Sequence, residues 1–254
     1  DLPAEILEVL ARALEISRLS AGAFDPAVGA LVDAWGFGPV RDRPDPTAIR
    51  ALAQTPRRAA HEALELDLAA GRACKRATMQ LDLCGIAKGY GVDRMATVMR
   101  EHGIAHALLA LDGELRACGT QADGRPWAVA LERPQTGLRE VHGVIDLADV
   151  AVATSGDYRR WLQVGDVRLA HSMDGRRGAP VNNAVASVTV LARDCTSADA
   201  WATALLVAGP AEGLALATRM GLDALLLLRR QDALVELGVG RFATGTDDWH
   251  RRPR

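Results

Sequence analysis

Aromatic residues are scarce: three Phe, two Tyr and five Trp make up 4% of 254 residues. A core here must be built mainly from aliphatic side chains, and a hydrophobic content of 49% is enough to build one. Cysteine is scarce too. Cys74, Cys84, Cys118 and Cys195 show no C-x-x-C spacing, which argues against a zinc knuckle or a thioredoxin-type redox pair. A chain this long does not need disulfide staples. Four reduced and mostly buried thiols are expected, with Cys74–Cys84 the one pairing left open. Charge of one sign is lacking as well. A net charge of −2 provides no basic field for nucleic acid. No run of roughly 18 apolar residues is apparent, so no membrane-spanning segment is expected. The first residue is Asp, and no basic stretch leads into an apolar one. The expectation is that an N-terminal segment has been removed or left out, and the sequence gives no address. G-x-S-x-G and H-E-x-x-H are absent, and no G-x-G-x-x-G follows a strand.

Length suggests one large domain or two small ones. Residues 3–19 read as an amphipathic helix with Ile6, Leu10, Leu14 and Ile16 near one stripe. Residues 22–39 are glycine-rich and carry Phe24, Trp35 and Phe37, and 40–48 read as an exposed turn before a helical run at 48–54. Strands are predicted at 63–69, 75–83, 107–111, 114–118, 127–132, 143–154, 166–171 and 185–192. In the last, Ala186, Val188 and Val190 alternate with Ser187 and Thr189 as in a half-buried strand. Helices are predicted at 86–102, 196–208 and 210–220, closing strands at 223–228 and 233–237, and a charged, frayed tail at 247–254. Hairpin-like strand pairs mixed with separated helices favour an α+β fold over regular β-α-β winding.

Four segments have the chemistry to form a site. In the first, Asp82 to Asp93, an apolar run ends at Leu83, Gly85 allows a tight turn, and a helical period begins at Ile86. Such a junction exposes unpaired N–H groups and the positive end of a helix dipole, which suits a phosphate, and Lys88 adds a charge in the first turn. An ordinary strand-to-helix turn with a solvated Lys88 would look the same. In the second, Asp199 and Thr203 stand four apart on one helix face, and their hard oxygen donors suit Mg²⁺ or Ca²⁺. Thr196-x-x-Asp199 also fits a capping box, and Thr203 could bond back within the helix. In the third, His171 and Asp174 end a predicted strand, where a histidine can act as general base near neutral pH, though a lone histidine is more often structural. In the fourth, Phe24 offers a ring face and Asp25 an acceptor ahead of Pro26, though a turn that buries its aromatic reads alike.

Taken in order, these segments resemble the ApbE family of FAD:protein FMN transferases. The matching blocks are A-G-A-F-D-P-A-V-G-A-L at 21–31, D-L-C-G-I-A-K-G-Y-G-V-D at 82–93 and D-G-E-L-R-A-C-G at 112–119. They continue with A-T-S-G-D-Y at 153–158, A-H-S-M-D-G-R-R-G at 170–178 and A-D-A-W-A-T-A at 198–204. The resemblance implies a single α+β flavin transferase domain over 1–254, built from mixed or antiparallel sheets packed with helices, with the family's usual first stretch and its flavin-stacking aromatic absent. It implies FAD as substrate, contacted by Ala23, Phe24, Asp25, Asp82, Lys88 and Met173. It implies Mg²⁺, with Ca²⁺ or Mn²⁺ as alternatives, held by Asp199, Thr203 and a main-chain carbonyl near Gly85. His171, Lys88 and Asp174 form the implied catalytic set, His171 activating a Thr or Ser hydroxyl on an acceptor flavoprotein so that FMN is transferred and AMP released. FAD hydrolysis to FMN and AMP, and flavin binding without chemistry, remain alternatives. A periplasmic, lipid-anchored location is also implied. The chain departs from the family pattern at Ala27, Cys84, Asp112, Gly175 and Arg177. Cys84 is expected to crowd its turn, and the changes at Gly175 and Arg177 to alter the loop after His171.

Overall fold

The computed structural model describes residues 1–39, 42–137, 139–164, 167–230, 233–243 and 249–251. Along the chain, α1 (Ala4–Leu19) is followed by a 3-10 turn (Pro26–Val28), α2 (Gly29–Ala34), α3 (Pro46–Ala53) and α4 (Ala60–Ala63). The hairpin of β1 (Leu64–Asp67) and β2 (Arg72–Lys75) precedes α5 (Ala87–Glu101). Then come β3 (Ala107–Leu111), β4 (Glu114–Cys118), β5 (Trp127–Glu132), β6 (Val141–Leu147) and β7 (Ala151–Gly156). β8 (Trp161–Val164), β9 (Val167–Ala170), β10 (Met173–Asp174) and β11 (Ala179–Pro180) lead to β12 (Val185–Ala192). α6 (Cys195–Arg219), β13 (Asp223–Arg230), β14 (Ala233–Val239) and β15 (Trp249–Arg251) complete the order. Every strand pair is antiparallel. The α+β reading holds.

Two compact units result. The first joins Asp1–Gly85 to Arg160–Asn183, and the second joins Ile86–Arg159 to Ala184–Arg254. In the first unit, Leu10 and Leu14 of α1 pack with Ala27, Ala60 and Leu64. Ile6 is 39% exposed and lies off the buried stripe. The glycine-rich stretch holds α2, and the helical run expected at 48–54 starts earlier, because Asp45 caps α3 by accepting from Thr47 and Ala48 N–H while Pro46 takes the first helical position. The strand expected at 75–83 continues no ladder past Lys75. Its backbone instead makes separate bonds to the 26–29 turn, Gly29 N–H to the Gln80 carbonyl and Asp82 N–H to the Pro26 carbonyl. β9 lies within the strand expected at 166–171, and the unexpected β8 pairs with it as a hairpin, with Arg168 over the Trp161 ring at 4.7 Å.

In the second unit, six strands run in the order β14-β13-β12-β7-β4-β3. Val92 and Ala96 of α5 pack with Leu109, Ala151 and Cys195 on one face. On the other, Val152, Leu191, Leu225 and Leu227 meet Val129, Leu131, Ile145 and Leu147 of β5 and β6. Both faces of β12 are therefore covered, so it is not the half-exposed strand its alternation implied. Ser187 and Thr189 are buried, and Thr189 pairs its hydroxyl with that of Thr154 at 2.8 Å. The single strand expected at 143–154 is two. Asp149, at φ 53°, turns the chain out of β6 in one sheet and into β7 in another. In α6, Gly209 (φ 80°, ψ −176°) breaks the run before Pro210, where two successive helices were expected. α6 is also long and apolar enough, by composition, to cross a membrane, contrary to the expectation that no segment qualifies; 61% of its apolar window is buried inside the protein, as in a core helix. Of the tail, 249–251 pair with β6 rather than fray, and 247, 248 and 252–254 lie outside the described residues, as do 40 and 41 of the expected turn and 166 of the expected strand. All four cysteines are free thiols, which removes the Cys74–Cys84 disulfide. Only Cys195 is buried, and Cys74 and Cys84 are exposed.

Candidate functional site

The site of the second unit forms where α5 begins. Ile86 precedes the helix without any side-chain cap, so its first N–H groups need outside acceptors. One acceptor is Asp199 of α6, whose Oδ2 takes the Gly89 N–H at 3.0 Å. Only glycine allows this approach, since a Cβ at 89 would stand 2.2 Å from the Cys195 carbonyl oxygen and 2.9 Å from the Asp199 Cβ. Lys88 extends its ammonium between two carboxylates, 2.5 Å from Glu114 Oε1 and 3.8 Å from Asp199 Oδ1. Glu114 and Asp199 are each 2% exposed, and Glu114 Oε2 is buried with no hydrogen-bond partner. Burial pushes the Glu114 carboxyl up to about 7, Asp199 adds to that rise, and Lys88 opposes it. Burial likewise raises Asp199, against Lys88 and the Gly89 N–H. For Lys88, burial alone would lower the pKa, but Asp199 and Glu114 outweigh it and hold the ammonium charged.

The capping-box reading of Asp199 does not hold. Asp194 caps α6 by accepting the Ser197 N–H at 2.7 Å. Thr196 donates instead to Asp93, through its N–H at 2.8 Å and its hydroxyl at 2.6 Å. Asp199 is thus free of any capping duty on its own helix. One turn on, Thr203 Oγ1 lies 3.0 Å from Ser155 Oγ on β7. Glu114, Ser155 and Asp93 were not singled out from sequence. The detectable signal for Glu114 was an acid at the first position of a short predicted strand, directly after the Asp112-Gly113 turn.

In the first unit, Ala23, Phe24 and Met173 are buried. The Phe24 ring is therefore not displayed as a platform. Asp25 Oδ1 accepts Ala27 N–H and Ala60 N–H, both at 2.9 Å, and its Oδ2 lies 3.9 Å from Arg57. Its carboxylate ties three segments together. His171 Nδ1 is 3.1 Å from the Arg160 carbonyl oxygen, at the base of the β8–β9 hairpin, and its ring meets Phe37 edge-on at 6.5 Å. A carbonyl only accepts, so Nδ1 carries the proton and the lone pair stands on Nε2. Asp174 Oδ1 accepts the Arg176 N–H at 2.9 Å, which makes it the organiser of the turn after His171. Gly175 suits that turn, because a Cβ there would come 3.0 Å from Asp25 Oδ2.

Asp82 and Gly85 lie just ahead of α5. Asp82 Oδ1 accepts the Cys84 N–H at 2.7 Å, and Cys84 is exposed with no positive φ. The expected crowding is absent, because the Asx-type turn sets a backbone that a side chain tolerates. Asp112 is the departure that takes a left-handed conformation, at φ 48°, which Asp tolerates better than most residues.

Among the described residues, no group of three or more His, Cys, Asp or Glu side chains is arranged to hold a metal. Asp199 with the Thr203 and Ser155 hydroxyls does fit a hard cation that completes its shell from water and substrate phosphate. These features define the class: a mixed α+β protein whose site combines an ammonium held by two buried carboxylates, hard oxygen donors and a helix N-terminus suited to phosphate.

The comparisons with known proteins agree. The ApbE family profile matches residues 1–226. The FAD:protein FMN transferase of Vibrio cholerae is 37% identical over 240 residues, which is 94% of this chain and 71% of that protein. The enzyme of that name from Haemophilus influenzae is 33% identical over 97% of this chain and 72% of its own. The solved flavin transferase ApbE of Vibrio cholerae superposes with a TM-score of 0.81 at 37% identity, over 94% of this chain and 75% of that one. The Thermotoga maritima ApbE structure gives the same TM-score at 31% identity, over 94% and 76%. The chain belongs to the ApbE family.

Proposed function

We propose that this protein transfers the FMN part of FAD to a threonine or serine hydroxyl of an acceptor flavoprotein, dependent on Mg²⁺ and with release of AMP, acting as one functional domain. The observation that carries this reading is the pairing of Lys88 with the buried Glu114 and Asp199 at the start of α5 in a chain of this family. FAD is substrate, and its contacts are assigned to Ala23, Phe24, Asp25, Asp82, Lys88 and Met173. Asp199, Thr203 and the Gly85 carbonyl are assigned to the metal. A bound Mg²⁺ would supply Lewis-acid neutralisation of the diphosphate.

The chain's own groups do the rest. Lys88, held charged by its two carboxylate neighbours, offsets negative charge gathering on the leaving phosphate. Glu114 positions that ammonium at 2.5 Å. His171, with its proton fixed on Nδ1, accepts the hydroxyl proton at Nε2. The acceptor oxygen bonds to the FMN phosphorus, the bond from that phosphorus to the bridging oxygen breaks, and AMP departs with the bridging oxygen. Asp174 supports this step by holding the turn that follows His171.

The test is incubation with FAD, MgCl₂ and a threonine-bearing acceptor domain, followed by intact-mass analysis. The expected result is a covalent FMN adduct on the acceptor with one AMP per adduct. FMN and AMP without an adduct would identify a hydrolase, and intact bound FAD a binding module.

A further inference from the structure

A second charged feature lies wholly within the first unit, and of the residues assigned to flavin, metal or catalysis only Asp25 lies on its wall. It is an open groove of about 580 Å³, lined by Arg57 and Arg58 from the segment before α4 and by Arg176 and Arg177 from the turn after β10. Asp25 and Glu62 are the acidic side chains on its wall. Two of the four guanidiniums are committed within the unit. Arg57 donates to the Ala27 and Gly175 carbonyls beside Asp25, and Arg176 pairs with Asp174 at 3.2 Å. The other two are exposed. Arg58 makes one bond, to the Glu62 main-chain carbonyl at 2.9 Å, and the Arg177 guanidinium has no partner among the described residues. A guanidinium carries five donors in a planar fork that matches a carboxylate two bonds at a time. The groove therefore presents the Arg177 fork and the remaining donors of Arg58, from two segments held in place by Arg57 and the Asp174 turn.

Carboxylates fit this lining better than a nucleotide does. No Phe, Tyr or Trp lines the groove, so no broad aromatic face is present for a base to stack on. The one ring on its wall, His61, is held through Nδ1 by Ser17 Oγ at 2.8 Å. We propose that this arginine groove binds an acidic stretch of the acceptor polypeptide, gripping its carboxylates with Arg58 and Arg177. The proposal rests on the transferase reading for its partner, since a transfer to protein needs a polypeptide to dock. Arg177 is also a departure from the family pattern, so the grip is a property of this chain in particular.

The test uses the full chain and a fluorescein-labelled peptide in which one threonine is flanked on each side by aspartates, with an asparagine version as control. Anisotropy titrations should show the acidic peptide binding, the asparagine peptide not, and affinity falling as salt rises. Arg58→Ala/Arg177→Ala should weaken binding about tenfold, Arg58→Glu/Arg177→Glu should abolish it, and the thermal midpoint should not move in either. Equal binding to wild type and both variants overturns the proposal. So does equal binding of the asparagine peptide, or a groove whose variants lose inorganic phosphate or AMP while keeping the peptide. Failure of the transferase reading is separate: no covalent adduct, with arginine-dependent peptide binding intact. Adduct formation with peptide binding indifferent to both arginines fails the groove alone.

Discussion

The two units hold their charge in opposite ways. In the second, two buried carboxylates hold a partly exposed ammonium, and one of them, Asp199, also accepts an N–H from a helix N-terminus. In the first, arginines stand in an open groove, and Arg58 there makes a single main-chain bond. Buried charge is costly unless paired and hydrogen-bonded, so the first arrangement shifts pKa values and admits few replacements. Open charge is cheap and screened by salt, so the second tolerates substitution and reports through affinity.

Substitutions test that contrast from its strongest side. Asp199→Ala should cut Mg²⁺-dependent turnover about 10³-fold, with circular dichroism unchanged; retained turnover with normal metal dependence would remove Asp199 from the site. His171→Ala should cost at least about 10²-fold in transfer while FAD binding, followed by flavin fluorescence, persists. Wild-type transfer in that variant would exclude His171 as the base. Gly89→Ala should cost about 3 kcal/mol in urea unfolding, because its Cβ would strike the Cys195 carbonyl.

Glu114 gives a pH test whose sign follows from its raised pKa. Between the usual 4.5 and about 7, the folded protein keeps a proton that the unfolded chain has released. Stability should therefore fall as pH rises across that window, by on the order of 1 kcal/mol per pH unit. Asp199, also raised by burial, adds in the same sense. Glu114→Gln should flatten most of the slope in thermal midpoint against pH, and an unchanged slope would locate the titration elsewhere. The smallest effect should come from Cys84→Gly. Cys84 is exposed and free of left-handed strain, so the change should cost about 0.5–1 kcal/mol through the unfolded state and leave turnover nearly as it was.

Local signals carried much of the fold. α1 and α3, β3, β4 and β5, the break at Gly209 and the β13–β14 pair follow from periodicity, caps and glycine-proline punctuation. The failures share one cause, which is that distant partners outweighed local preference. Residues 75–83 look like a strand but bond to the 26–29 turn. The alternation in β12 signals one wet face, yet a second sheet covers it. β8 is the exception, missed for a local reason: it has little apolar alternation, and its own ladder with the expected β9 and the Trp161–Arg168 stack hold it.

The segment from Asp82 to Asp93 and the pair Asp199 and Thr203 show the same division. By itself the sequence determined that a glycine turn leads into a helix carrying Lys88, and that Asp199 and Thr203 share a helix face, because those facts depend only on neighbours a few residues away. Whether Asp199 capped its own helix or faced another was a long-range matter. The tertiary structure decided it by seating Asp93 and Asp194 at the start of α6 and leaving Asp199 to the Gly89 N–H and Lys88. Glu114 became part of the site for the same reason: a carboxylate on a strand is ordinary until folding buries it against an ammonium 26 residues away in sequence.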